Sequence, residues 1–94
     1  MATDFNQEIG GWNTSSVTNM NQMFFGSVSF NQDISSWDTS SVINMNQMFF
    51  RSVSFNQDIS NWCVEQVTNN FQFDTYSAFE GQTNLQPVWG TQCN

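Results

Sequence analysis

The stretch FNQDISSWDTSSVINMNQMFFRSVS, residues 30–54, decides what this sequence can fold into. Residues 5–29 repeat it, because 19 of 25 positions are identical when the two stretches are aligned. Residues 55–79 begin a third copy with FNQDIS and then diverge, and residues 80–94 differ from the pattern in composition. A fixed period of about 20 to 50 residues is typical of proteins whose units stack to bury apolar surface that one unit cannot bury alone.

The period predicts one domain with the architecture of an α/β solenoid. Each coil would combine a short parallel strand with a short helix, and a C-terminal cap would cover the open end. The expected domain spans residues 1–94, with coils at 5–29, 30–54 and 55–79 and the cap at 80–94.

Local patterns within a coil predict the two elements. Val42, Met45 and Phe49 follow the i, i+3, i+7 spacing of one helical face. Asp33–Trp37 is short, carries Ile and Trp, and is flanked by turn-forming residues, which indicates a strand. Thr39 precedes the predicted helix and offers a hydroxyl as its N-cap.

The apolar positions that recur in every coil form the predicted core. Large aromatic side chains supply most of it, because 43 of 94 residues are Asn, Gln, Ser or Thr. An exposed row of tryptophans for ligand binding is the alternative for the Trp column. The predicted core residues are Phe5, Ile9, Trp12, Val17, Met20, Phe24, Phe30, Ile34, Trp37, Val42, Met45, Phe49, Phe55, Ile59, Trp62 and Val67.

The charges exclude several classes of function. The chain has 8 acidic residues, one arginine, and no histidine or lysine, and its net charge is −7. It therefore lacks the histidine of most nucleophile–base pairs and the lysine of phosphate-binding loops. Nucleic-acid binding and membrane insertion are not expected, since phosphate contacts need basic residues and no apolar run approaches about 20 residues.

The motifs FNQ, WDTS and NMxxMF, in this order and spacing, resemble the tandem repeats of BspA-like surface proteins and mycoplasma surface lipoproteins. The resemblance is strong from Phe5 to Trp62. It implies a fold related to leucine-rich repeats, display on the cell surface or secretion, and binding to host matrix proteins or other cells. It supplies no catalytic residues and no cofactor.

Polar residues that recur at the same position would form columns along the stack. The asparagines are expected to satisfy backbone groups, with ligand recognition as the alternative. A column of carboxylates, Glu8, Asp33 and Asp58, would raise the pKa of its members unless donors or a cation compensate, so calcium is a weak candidate ligand. The asparagine columns are Asn6, Asn31 and Asn56, and Asn19, Asn44 and Asn69.

The two cysteines are expected to join the cap to the third coil. A disulfide between Cys63 and Cys93 would favour an oxidising compartment, with free thiols as the alternative. Residues 1–4 lack the features of a signal peptide, so we expect any leader to be absent from this chain. The expected location is extracellular or on the cell surface.

Two functions fit these expectations. The first is a non-enzymatic surface module for adhesion or recognition of a protein partner. The alternative is a structural building block that assembles with itself through an uncapped N-terminal coil. A third possibility, a glycosidase-like carboxylate pair of Asp33 and Asp38, is disfavoured because three coils scarcely provide a cleft.

Overall fold

Backbone hydrogen bonds between equivalent parts of the sequence organise the computed structural model, which describes residues 3–90 and Cys93. We call residues 5–29 the first segment, 30–54 the middle segment and 55–79 the third segment. Alternate amides of one segment donate to carbonyls of the next. The bonds from the first to the middle segment join Met20 to Asn44 at 2.8 Å, Gln22 to Asn46 at 2.9 Å and Phe24 to Met48 at 2.8 Å. Those from the middle to the third segment join Met45 to Asn69 at 2.7 Å, Gln47 to Phe71 at 2.8 Å and Phe49 to Phe73 at 2.9 Å.

The predicted α/β solenoid is wrong. The described residues contain one short 3₁₀ helix, Thr83–Leu85, and two isolated parallel bridges, Asn19 with Asn44 and Asn44 with Asn69. They form no α-helix and no sheet, so the leucine-rich-repeat-like architecture is not supported. The chain is instead a globule of turns and bends with a radius of gyration of 12.0 Å.

The predicted helices are absent because their amides are used elsewhere. The amides of Met20, Gln22 and Phe24 donate to the middle segment and are unavailable for bonds within a helix. The intervening amides close tight turns, as between Met23 N–H and the Met20 carbonyl at 3.2 Å. Gln22 and Gln47 also have φ angles of 57° and 53°, which interrupt a right-handed helix.

The predicted strand at Asp33–Trp37 is also a turn. Within it the Ser35 amide donates to the Asp33 carboxylate at 2.9 Å, and the Trp37 amide donates to the Ile34 carbonyl at 3.1 Å. Local bonds, one to a side chain and one to a backbone carbonyl, replace strand pairing here.

The threonines that were expected to cap helices connect segments instead. The Thr14 hydroxyl donates to the Asp38 carbonyl at 3.0 Å, and the Thr39 hydroxyl donates to the Cys63 carbonyl at 2.7 Å. Both side chains are buried. Each threonine therefore ties its own segment to the next one.

The core is a set of aromatic stacks that run across the segments. Phe30 lies 5.6 Å from Phe5 and 5.8 Å from Phe55 between ring centres, and Trp37 lies 6.3 Å from Trp62. Offset stacking at these distances is favourable for aromatic pairs. The buried hydrophobic residues are Ile9, Met20, Phe24, Phe30, Ile34, Trp37, Val42, Met45, Met48, Phe49, Phe55, Ile59, Trp62, Val64, Phe73 and Phe79.

Four of the predicted core residues lie outside this buried set. Phe5, Val17 and Val67 are partly buried and pack against it. Trp12 differs from the expectation, because 56% of it is exposed.

The end of the chain packs on the third segment. The predicted disulfide between Cys63 and Cys93 is present, with Cα atoms 5.6 Å apart. The Ile59 amide donates to the Leu85 carbonyl at 2.9 Å, and the Trp89 ring meets Phe73 edge-on at 5.0 Å. Residues 91, 92 and 94 of the predicted cap lie outside the described residues. Within the described residues, no helix is long and apolar enough to cross a membrane.

Candidate protein-recognition groove

The asparagine columns lie along the surface and bond to backbone groups. The Asn6 carboxamide oxygen accepts the Asn31 amide at 2.9 Å, and the Asn31 oxygen accepts the Asn56 amide at 2.9 Å. Asn19 and Asn44 instead accept amides two residues further along their own segments, at 2.8 and 2.9 Å. These columns complete backbone hydrogen bonding between and within segments.

The predicted carboxylate column is exposed and already supplied with donors. The Ser60 hydroxyl and amide lower the pKa of Asp58, and the Ser35 hydroxyl and amide lower that of Asp33. The expected rise in pKa is therefore wrong for Asp33 and Asp58, because hydrogen bonds to the charged form of a carboxylate lower its pKa. A shallow depression of about 310 Å³ lies between Asp33 and Asp58, while Glu8 is exposed in the first segment.

Two further acidic residues, Asp38 and Glu65, lie beside hydrogen-bond donors and beside the disulfide, respectively. The Ser40 hydroxyl and amide lower the pKa of Asp38, so neither Asp33 nor Asp38 has the raised pKa of a general acid. Glu65 lies within 4.8 Å of the Cys63 and Cys93 sulfurs, which are joined in the disulfide.

A different surface combines exposed apolar side chains with a positive charge. It follows the turns at residues 25–28 and 50–53 and continues to the third segment. Two adjoining hollows of about 440 and 300 Å³ form this surface. We call it the Arg51 groove and define it by Phe25, Val28, Phe50, Arg51, Val53 and Tyr76.

The walls of the Arg51 groove are apolar and open to solvent. Val28, Val53 and Tyr76 are 40%, 55% and 60% exposed. Phe25 stacks on Phe50 with ring centres 5.0 Å apart, and Phe50 meets Tyr76 edge-on at 5.7 Å. The groove is therefore lined by three aromatic rings in contact with one another and flanked by two exposed valines.

Arg51 is the only basic residue of the whole chain. The carbon at the centre of its guanidinium group lies 5.7 Å from the centre of the Phe50 ring and 5.6 Å from that of Tyr76. These are cation–π distances. Among residues 3–90 and Cys93, which include all the acidic residues, no carboxylate pairs with Arg51.

The backbone beneath this groove adopts the left-handed conformation at three equivalent positions. The φ angles of Gly26, Arg51 and Tyr76 are 66°, 60° and 62°. Glycine adopts this conformation freely, whereas a residue with a side chain loses about 1 to 2 kcal/mol. The arginine and tyrosine of the groove are therefore held in a conformation that costs stability.

Sequence reasoning used Arg51 only in the count of charges and missed this groove. The available signals were Val28 and Val53, which repeat at an apolar position, and the isolation of a single cation in an acidic chain. The sequence did not show that Val28, Val53 and Arg51 lie near Tyr76, because the third segment diverges from the repeat at that position.

These features define a small, acidic, disulfide-linked protein with repeated segments and an exposed apolar groove around one cation. A family model described as "Mycoplasma protein of unknown function, DUF285" matches residues 1–89, and the chain belongs to this family. No curated protein and no solved structure matches the chain.

Proposed function

We propose that this chain is a non-enzymatic protein-recognition module that binds an apolar segment of another protein in the Arg51 groove. The observation that carries the proposal is the apolar surface formed by the exposed side chains of Val28, Val53 and Tyr76 together with the half-buried rings of Phe25 and Phe50. Contiguous exposed apolar surface on a small protein is a mark of interaction sites. Aromatic and arginine side chains are also enriched at protein interfaces.

We propose an extracellular or cell-surface location for this activity, with adhesion as its biological use. The disulfide between Cys63 and Cys93 supports an oxidising compartment. Membership of a mycoplasma family and the resemblance to BspA-like surface proteins support the same location. The net charge of −7 favours a protein partner over nucleic acid.

A peptide array tests the recognition proposal directly. Random octapeptides would be immobilised and probed with the labelled chain, with its disulfide intact. The variant Val53→Ser should lose binding to apolar peptides, because it removes an exposed wall of the groove. Ile43→Ser is the matched control, since Ile43 is 45% exposed and does not line the groove. Equal binding by both variants would contradict the proposal.

The proposed recognition uses no cofactor, and calcium binding at Glu8, Asp33 and Asp58 remains a separate prediction. A rise in melting temperature on addition of calcium chloride would support it. An unchanged melting temperature would contradict it.

Self-assembly is a second candidate function, favoured by unpaired backbone groups on the first segment. The carbonyls of Asn19, Asn21 and Met23 have no partner within the described residues, whereas their equivalents in the middle segment accept amides. On the opposite side, the amides of Asn70 and Gln72 are likewise unpaired within the described residues. One edge thus presents acceptors and the other donors.

This polarity favours head-to-tail association between copies over two-fold association, because two acceptor edges do not complement each other. Light scattering across a concentration range tests it. The mass should rise above 10.8 kDa with concentration, more so at high salt, which screens the net charge of −7. Trp12→Ala should weaken the association and Ile43→Ala should not. A constant mass of 10.8 kDa would contradict it.

A further inference from the structure

We infer that the segment bound in the Arg51 groove carries one carboxylate beside an apolar side chain, and that the Arg51 guanidinium binds this carboxylate. This inference rests on the proposed function and adds the chemistry of the partner to it. The observations that carry it are the unused donors of Arg51, its position among apolar groups and the backbone conformation that places it there.

The first observation is that the guanidinium makes no hydrogen bond or ion pair with any residue that the structure describes. Arg51 has five N–H donors on its side chain. None of them makes a hydrogen bond or an ion pair within residues 3–90 and Cys93, and the guanidinium lies at cation–π distance from the Phe50 and Tyr76 rings. Its planar donor fork is therefore available to a carboxylate, which it can bind through two parallel hydrogen bonds.

The second observation is the apolar setting of this cation. The rings of Phe50 and Tyr76 and the side chains of Val28 and Val53 surround the site. A ligand that covers these groups would exclude water from the guanidinium, and an ion pair gains strength as water is removed. A ligand with a carboxylate next to an apolar side chain would contact both the guanidinium and the apolar walls of the groove.

The third observation is the strain beneath the groove. The equivalent position in the first segment is Gly26, which adopts φ of 66° without cost, while Arg51 holds φ of 60° against its side chain. Strained residues persist where their side-chain position is useful, and they concentrate at binding sites. A glycine would serve the turn equally well, so the turn itself does not require an arginine.

The overall charge limits how acidic the ligand is. The chain carries a net charge of −7, so a run of carboxylates would meet general repulsion and only one guanidinium. A single carboxylate flanked by apolar side chains avoids that repulsion. Its source is either the C-terminus of the partner or one Asp or Glu side chain.

The test uses four sets of synthetic octapeptides with the same apolar residues. One set has a free C-terminal carboxylate, one is amidated with a single Glu, one is amidated with Gln in place of Glu, and one is amidated with two adjacent Glu residues. Affinities would be measured by fluorescence anisotropy with the full chain in its disulfide form. We expect peptides with one carboxylate to bind at least about tenfold more tightly than the neutral set, as expected for hydrogen bonds to charged groups. The first two sets identify the source of the carboxylate.

Arg51→Gln should remove this preference, so that peptides with one carboxylate and neutral peptides bind this variant with equal affinity. Glutamine is a suitable replacement because Gln22, Gln47 and Gln72 already adopt φ angles of 57°, 53° and 52° in this protein. Arg51→Lys keeps the charge without the planar fork and should retain part of the preference. Circular dichroism would confirm that both variants fold.

The outcomes separate the two claims. If the chain binds neutral and acidic apolar peptides equally, or if Arg51→Gln keeps the preference, the inference is overturned while the proposed function stands. If the chain binds none of the four sets, the proposed function fails as well. If the wild type prefers peptides with one carboxylate and Arg51→Gln has lost this preference, both the inference and the proposed function are supported.

Discussion

Trp12 and Trp37 occupy equivalent positions in two segments of almost identical sequence, yet 56% of Trp12 and only 4% of Trp37 is exposed. The Trp37 indole N–H donates to the Ile9 carbonyl at 2.9 Å, in the segment before it. Trp62 repeats this arrangement with the Ile34 carbonyl at 3.0 Å. No residue among those described plays that role for Trp12.

The comparison shows that burial in this molecule depends on the neighbouring segment and not on the residue's own segment. The middle segment has a neighbour on both sides, so its inward-facing apolar residues, such as Trp37, are covered on both sides. The first segment has a described neighbour on one side only. Equivalent residues of two nearly identical segments therefore contribute differently to the free energy of unfolding.

Replacing the two tryptophans should produce the largest difference. Trp37→Ala should lower the free energy of unfolding by about 3 to 5 kcal/mol, because it opens a cavity and removes the hydrogen bond from the indole to the Ile9 carbonyl. Trp12→Ala should lower it by less than about 1 kcal/mol, since Trp12 is mostly exposed. Urea denaturation measures both. Similar losses for the two variants would contradict the comparison.

Removing the disulfide should destabilise the third segment most. Cys63→Ser releases the closing bond between residues 63 and 93 and should lower the free energy of unfolding by about 3 to 4 kcal/mol in the chain-entropy model. Amide hydrogen exchange should rise in the third segment more than in the first. The matched control is the wild type reduced with dithiothreitol, whose free energy of unfolding should fall by a similar amount. Unchanged stability under oxidising conditions would show that the bond is dispensable.

Two neighbouring glycines should respond differently to alanine. A Cβ at Gly10 would lie 2.7 Å from the Asp33 carbonyl oxygen, so Gly10→Ala forces the first and middle segments apart and should cost about 1 to 3 kcal/mol. Gly11→Ala is the control, because a Cβ there meets nothing within 4 Å. It should stay within about 1 kcal/mol of the wild type. Thermal denaturation separates the variants, and equal melting temperatures would contradict the close contact.

Giving the middle segment the glycine of the first should stabilise the protein. Arg51→Gly relieves the left-handed conformation at φ of 60° and should raise the free energy of unfolding by up to about 1 kcal/mol, after the loss of the ring contacts. The same variant should lose carboxylate-dependent peptide binding. Gly26→Ala, which introduces a side chain at φ of 66°, should have the opposite effect on stability. A less stable Arg51→Gly variant would show that the arginine is structural.

The smallest effect concerns pH and Asp58, which stands where the first segment has Glu8. The Ser60 hydroxyl and amide hold the pKa of Asp58 below its ordinary value in the folded chain. This contribution is present above the pKa of the unfolded chain and is lost as the pH falls through the lowered folded value. Ser60→Ala should therefore reduce stability at pH 7 more than at pH 2. Ser16→Ala, an exposed serine without a side-chain bond, is the control, and a loss independent of pH would contradict the assignment.

Part of this structure could be predicted from the sequence. The sequence repeat identified which residues lie opposite one another, and Phe5, Phe30 and Phe55 do stack as equivalent residues. The disulfide was also predicted, because the two cysteines bracket the divergent end of the chain.

The secondary structure could not be predicted, because the spacing of Val42, Met45 and Phe49 fits a helix as well as it fits a turn-rich segment. No helix forms because amides such as that of Met45 donate to the third segment and not to a carbonyl of their own segment. Local patterns do not contain this information.

The amino-acid sequence sets the period, the acidic charge and the apolar positions, since these are properties of the residues and their order. The burial of Trp37, the exposure of Trp12 and the meeting of Arg51 with Tyr76 arise only when segments lie side by side. The physical reason is that burial and cation–π contact are relations between residues distant in the chain. For this protein those relations, and with them the candidate binding groove, depend on how the third segment packs against the middle one.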